Sequence, residues 1–106
     1  MHVELSTDHN IEGKERLGAR VEELVTHALG KFSGSISRVE VHLSDEISTK
    51  SGSKGQTRCM MEARLEGLKP TAVSDSAASV DQAVKGAAKK PATSVETILG
   101  RRRDAQ

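Results

Sequence analysis

Aromatic side chains are nearly absent from this 106-residue chain: Phe32 stands alone, without a tryptophan or a tyrosine. Any core must therefore be aliphatic, and the aromatic platforms that hold splayed single-stranded bases are excluded. Cysteine is as scarce. Cys59 is the only one, so no internal disulfide can form, and a reducing cytoplasm is the compartment that fits. No apolar run approaches the roughly 20 residues of a membrane-spanning helix. The opening Met1-His2-Val3-Glu4-Leu5 lacks the basic-then-apolar pattern of a signal peptide. Nor does one charge prevail: 16 Lys and Arg against 15 Asp and Glu leave a net +1, too little to imply nucleic acid unless the cations are gathered on one surface. What remains, 35% hydrophobic and 29% charged, is the balance of a soluble globular domain. The length suits a single domain that buries roughly two-thirds of its extended surface.

Within that domain, the stretch from Arg38 to Gly67 reads as two alternating strands around a long polar loop. Val39, Val41 and Leu43 alternate with Arg38, Glu40 and His42, and Cys59, Met61, Ala63 and Leu65 with Arg58, Met60, Glu62 and Arg64. Period-2 alternation gives each strand one dry and one wet side, and two such strands close in sequence pair most simply as an antiparallel hairpin. The connecting loop, about 45–57, is rich in Ser, Gly and Lys and is expected to be mobile; its composition alone specifies no contact, so slack explains it better than function.

Ahead of the hairpin, Val3 and Leu5 alternate with His2 and Glu4 in a short first strand, followed by a turn-like Asp8 to Gly13. From Lys14 the spacing of Leu17, Val21, Leu24, Val25, Ala28, Leu29 and Phe32 predicts a helix, with Gly34 as a left-handed cap. After the hairpin, Lys69 to Ser74 reads as a fourth strand with Pro70 at its edge, and Asp75 or Ser76 is placed to cap a second helix. That helix carries Val80, Val84, Ala87, Ala88, Val95, Ile98 and Leu99, with small residues at Gly86 to Ala88 for close packing. Pro91 on the same face is expected to kink or interrupt it, and Gly100 to end it ahead of a basic tail, 101–106. The expected fold is α+β: a two-layer β-α-β-β-β-α sandwich, a four-stranded mixed sheet with both helices on one face.

Catalytic and metal signatures are wanting. His2, His9, His27 and His42 have no ligand spacing, Cys59 falls on the dry side as an inert thiol, and no nucleophile elbow, phosphate-binding loop or dinucleotide fingerprint occurs. The reading is of a protein without cofactor, metal or catalysis. One charge pattern rises above the background. Arg16, Arg20, His27 and Lys31 fall along one flank of the first helix, with Glu23 among them, and Lys85, Lys89, Lys90, Arg101, Arg102 and Arg103 follow in and after the second. On the residues alone the ordinary reading is a solvated helix with pairs such as Glu23–His27, and an arginine triplet suited to a helix C-terminus. The other reading is a ridge of cations that tracks a phosphate backbone without reading bases.

Several stretches resemble the bacterial ribosome hibernation-promoting factor family: Ser6-Thr7-Asp8 with Ile11; Val21-Glu22-Glu23 and Phe32; Arg38 to Ser44; Cys59 to Gly67; and Val80-Asp81-Gln82-Ala83-Val84. The resemblance runs from about residue 2 to 103 and rests on order and spacing rather than on one motif. It implies a domain similar to a double-stranded RNA-binding domain, in a short-form member of the family. It also implies binding to the small ribosomal subunit where tRNA and mRNA pass, as a monomer off the ribosome, silencing translation in stationary phase or stress. The RNA-binding residues would then be Arg16, Arg20, Lys31, Lys85, Lys89, Lys90, Arg101, Arg102 and Arg103, with neighbouring ribosomal proteins as further partners and no membrane. The family often has Lys or Arg where this chain has His27 and Gly30. A small protein-binding regulator with the same fold and no RNA is the alternative.

Overall fold

The computed structural model describes residues 1–7, 14–46 and 56–104, and of residues 14, 15, 45, 46, 56 and 102–104 the backbone alone. The order is β1 (His2–Thr7), α1 (Lys14–Leu29), a 3-10 turn (Gly30–Phe32), β2 (Ile36–Glu46), β3 (Gln56–Leu65), β4 (Thr71–Ala77) and α2 (Val80–Asp104). The four strands lie side by side in sequence order, β1 parallel to β2 and the other pairs antiparallel. Val39 faces Ala63, Val41 faces Met61 and Leu43 faces Cys59, and all six are buried in one cluster with Val21, Val25, Leu29, Val84, Ala87, Ala88 and Val95 of the helices. Both helices thus cover one side of the sheet, as the alternation predicts.

β2 begins earlier than the alternation suggests. A bulge sets Ile36 opposite Leu65 and Arg38 opposite Arg64, leaving Ser37 as the extra residue, with its hydroxyl donating to the Arg64 carbonyl at 3.2 Å. The extra residue resets the strand's parity, so even-numbered Ile36 enters the core beside odd-numbered Val39.

Other boundaries differ from expectation. The strands reach Glu46 and start again at Gln56, so the ends of the expected 45–57 loop are sheet; 47–55 lie outside the described residues, as does the turn at 8–13. Gly34 is not left-handed. Among the described residues only Gly67, at φ 79°, has positive φ, and α1 instead tightens into the 3-10 turn, where Ser33 N–H reaches the Gly30 carbonyl at 3.0 Å. The fourth strand is 71–77, starting just after Pro70, and it contains Asp75 and Ser76. Ser79 caps α2 in their place: its hydroxyl accepts the Gln82 N–H at 3.2 Å and its carbonyl the Ala83 N–H at 3.0 Å.

α2 passes through Pro91 without interruption and ends at Asp104 rather than Gly100. Pro91 is fully buried on the apolar face, where its ring packs in the core and compensates for the backbone bond it lacks. Arg101 to Arg103 consequently belong to the helix, not to a tail. α2 packs closely on β4 at Gly86, where a Cβ would stand 1.8 Å from Asp75 Oδ2. Asp75 shares the inner side of the sheet with Cys59, its register partner. Gly86→Ala is expected to lose about 1 kcal/mol in urea unfolding, because crowding at Asp75 outweighs the helix-propensity gain. In an Asp75→Ser background the same change is expected to turn neutral or stabilising; an equal loss in both backgrounds would exclude crowding at Asp75 as its cause.

Candidate nucleic-acid interface

α1 turns its apolar stripe to the core and leaves Arg16, Glu22, Glu23 and His27 exposed, as is Lys31 in the 3-10 turn that follows. Arg20 behaves differently from its neighbours. Its Nε and Nη2 both donate to Asp81 Oδ2 on α2, at 3.1 and 2.7 Å, while Nη1 lies 3.3 Å from Glu23. Arg20 is therefore an inter-helix tie whose charge is already met by two carboxylates. The hydrogen bond and charge of Arg20 hold the Asp81 carboxyl below its ordinary range, with a smaller contribution from Lys85, and against the opposing effect of burial. A group whose folded pKa is lowered contributes stability above its unfolded pKa, about 3.9 for Asp, and loses it as the pH falls through the folded value. Arg20→Ala is therefore expected to lower the melting temperature at pH 7, and the gap to wild type to close below about pH 4. A gap independent of pH would show that Arg20 stabilises by packing alone.

The Arg20–Asp81 tie joins the basic flank of α1 to the start of α2. Lys85 lies one turn beyond Asp81 and Lys89 one turn further; both are exposed, and no hydrogen bond or ion pair occupies the side chain of Lys89 or Arg16 among the described residues. Lys90 points the other way, donating from Nζ to the Ser74 carbonyl of β4 at 2.6 Å. It anchors α2 to an edge strand and screens one of that strand's carbonyls. Arg101, about three turns beyond Lys90, projects from the same flank and is exposed. For Arg102 and Arg103 the described backbone is helical. Lys31 Nζ stands 5.1 Å from the centroid of the Phe32 ring, a cation-π contact that orients it beside the end of α1.

The nine expected cations thus divide by circumstance. Arg16, Lys31, Lys85 and Lys89 extend from the paired helices with charge to spare, Arg20 is neutralised, Lys90 is tied to the sheet, and the arginine triplet forms the end of α2. The Cys59 thiol is buried, and burial, with the charge of Asp75, pushes its pKa up to about 11, which keeps it protonated and inert. What this arrangement can do is present cations to a surface of phosphates.

The opposite side of the sheet is open. Glu4, Glu40 and Glu62 form one cross-strand row there, Glu4 beside Glu40 and Glu40 beside Glu62. Arg38 Nη2 is shared between Glu4 and Glu40, at 2.7 Å from the latter, and Arg64 Nε lies 3.1 Å from Glu62. The alternation in sequence puts the arginines on this face; the carboxylate row is visible only once the register of three strands is known.

No family model matches this chain, and no curated protein does. Among solved structures the fold is similar to the Thermus thermophilus Protein Y N-terminal domain, with a TM-score of 0.66 at 15% identity over 92% of this chain and 99% of that one. It is also similar to a ribosomal subunit interface protein from Coxiella burnetii, with a TM-score of 0.65 at 14% identity over 94% of this chain and 99% of that one. The chain therefore has the fold of a ribosomal subunit interface protein, in keeping with the hibernation-promoting factor family that its sequence resembles. At these identities the likeness is one of fold. Among the described residues, no helix is long and apolar enough to cross a membrane.

Proposed function

We propose that this protein binds the small ribosomal subunit, in the channel used by tRNA and mRNA, and that it inhibits translation there in stress or stationary phase, in the cytoplasm and without catalysis. The observation that carries this reading is the coincidence of two features. The fold is shared with a ribosomal subunit interface protein, and its paired helices present Arg16, Lys31, Lys85 and Lys89 on the side away from the sheet's open face. The rRNA backbone is met by shape and charge, since a chain with one aromatic residue has no means of stacking on splayed bases. The protein acts as a monomer that occupies the channel, and inhibition follows from occlusion.

Binding to purified small subunits, measured by co-sedimentation over a range of salt concentrations, tests this. A phosphate-driven complex weakens steeply and log-linearly with salt, because each neutralised phosphate releases condensed counterions. Binding that is insensitive to salt would favour the protein-binding alternative, whose apolar interface does not respond in that way. Absence of binding to subunits and whole ribosomes would refute the proposal.

A further inference from the structure

At every fourth position of α2 from Lys85 onward stand Lys85, Lys89, Thr93, Thr97 and Arg101, all exposed. Four residues turn a helix by about 40° more than a full circle, so the five form one ridge, about 24 Å long, that winds slowly over the outer side. The ridge starts one turn after Asp81, which is tied to α1, and ends on the flank of Lys90, which is tied to β4. Its two ends are cationic and its middle is not. Thr93 donates its hydroxyl proton to the Lys89 carbonyl at 3.2 Å, and Thr97 donates to the Thr93 carbonyl at 3.0 Å. Each hydroxyl oxygen is therefore left with acceptor capacity alone. Glu96, also exposed and three residues after Thr93 on the same side, is the one acid from Lys85 to Arg101, and its carboxylate too can only accept. A phosphate, itself an acceptor, gains nothing from that middle and is repelled by Glu96. The complementary ligand brings hydrogen-bond donors to the middle and anionic groups to either side.

We propose that α2 lies across the minor groove of a double-stranded RNA segment. Lys85 and Lys89 meet the phosphates of one strand, Arg101 meets those of the other, and Thr93 and Thr97 accept from 2′-hydroxyls between them. An A-form minor groove is wide and shallow and displays its 2′-hydroxyls between two phosphate backbones. That is the order of cation, acceptor and cation along the ridge. A polyanion without sugar hydroxyls satisfies the ends and leaves the middle unmet. The inference rests on the ribosome reading and deepens it, by naming an RNA duplex as what this helix meets and Thr93 and Thr97 as the residues that recognise it as RNA.

The experiment measures the affinity of the full chain for two short duplexes of one sequence: RNA, and its 2′-fluoro counterpart, which keeps the charge and the A-form shape but lacks the hydroxyl proton. Wild type is expected to bind the RNA about three- to tenfold more tightly, the weight of one or two net hydrogen bonds. Changing Thr93→Val and Thr97→Val together removes both hydroxyls and keeps the branched shape. That variant is expected to lose the preference with its salt slope unchanged, because the cations are untouched. Thr93→Ser with Thr97→Ser, which keeps the hydroxyls, is expected to retain the preference. Lys89→Ala should do the reverse of the valine variant, weakening both duplexes alike and lowering the slope by roughly one. Circular dichroism like that of wild type shows that each variant is folded. The inference is overturned if wild type binds the two duplexes equally, if the folded valine variant keeps the preference, or if the RNA duplex is not bound. The ribosome reading is judged separately, by co-sedimentation: a protein that sediments with small subunits in a salt-dependent way yet gives any of these results loses this inference alone.

Discussion

Replacing Arg16, Lys85 and Lys89 together by alanine is expected to weaken binding to small subunits about a hundredfold or more at moderate salt. The slope of log affinity against log salt should fall by roughly three, one for each phosphate left without its cation. These are the helix cations with charge to spare, and none is on the apolar face, so the melting temperature should stay near that of wild type. Arg20→Ala is the informative contrast. Its guanidinium already satisfies Asp81 and Glu23, and moving it to a phosphate would break both interactions, so its loss should lower stability while the salt slope hardly changes. Lys90→Ala belongs with Arg20, because its ammonium is committed to the Ser74 carbonyl. A triple variant that binds with unchanged slope would show that the helices do not face the RNA. Equal reductions in slope from Arg20→Ala and Lys89→Ala would show that the inter-helix tie opens on binding.

That contrast marks where the sequence stops being informative. The cations can be listed from the chain, but whether a cation is free depends on residues far away in sequence. Arg20 and Asp81 are 61 positions apart, and no local pattern couples them. The dry face of the sheet is legible because burial enforces alternation, and one slipped residue would expose every member of the set. The Ser37 bulge is not, since an extra strand residue leaves no mark in composition. The sequence places the cap of α2 at Asp75 or Ser76, yet Ser79 with Gln82 three residues on has the S-x-x-Q spacing of a capping box. Asp75 and Ser76 face opposite sides of β4, which pairs with β3 through Ala77, and strand pairing overrides their capping preference. The end of α2 lies beyond its expected place because Gly100 weakens a helix only modestly, while three arginines favour its negative end. The acidic row needs the register of β1, β2 and β3 together. Only the hairpin's own pairing can be read in advance.

Neighbouring methionines provide the sharpest reading of that register. Met61 is 1% exposed beneath both helices, opposite Val41 and Val73, whereas Met60 points into water between His42 and Ser74. Met61→Ala removes a long side chain from a close-packed layer and leaves a cavity that the strands on either side are too constrained to fill. The expected loss is about 2–5 kcal/mol, a large part of a small domain's stability and a fall in melting temperature of about 10 °C or more. Met60→Ala, one residue earlier, should change stability by no more than about 0.5 kcal/mol. Equal destabilisation by the two changes would mean that both methionines are buried and that the sheet has no open face. A stable Met61→Ala would mean that the layer can collapse around the missing side chain. The expected result, one methionine essential to the fold and its neighbour dispensable to it, requires a sheet with one face covered by helices and the other open to water.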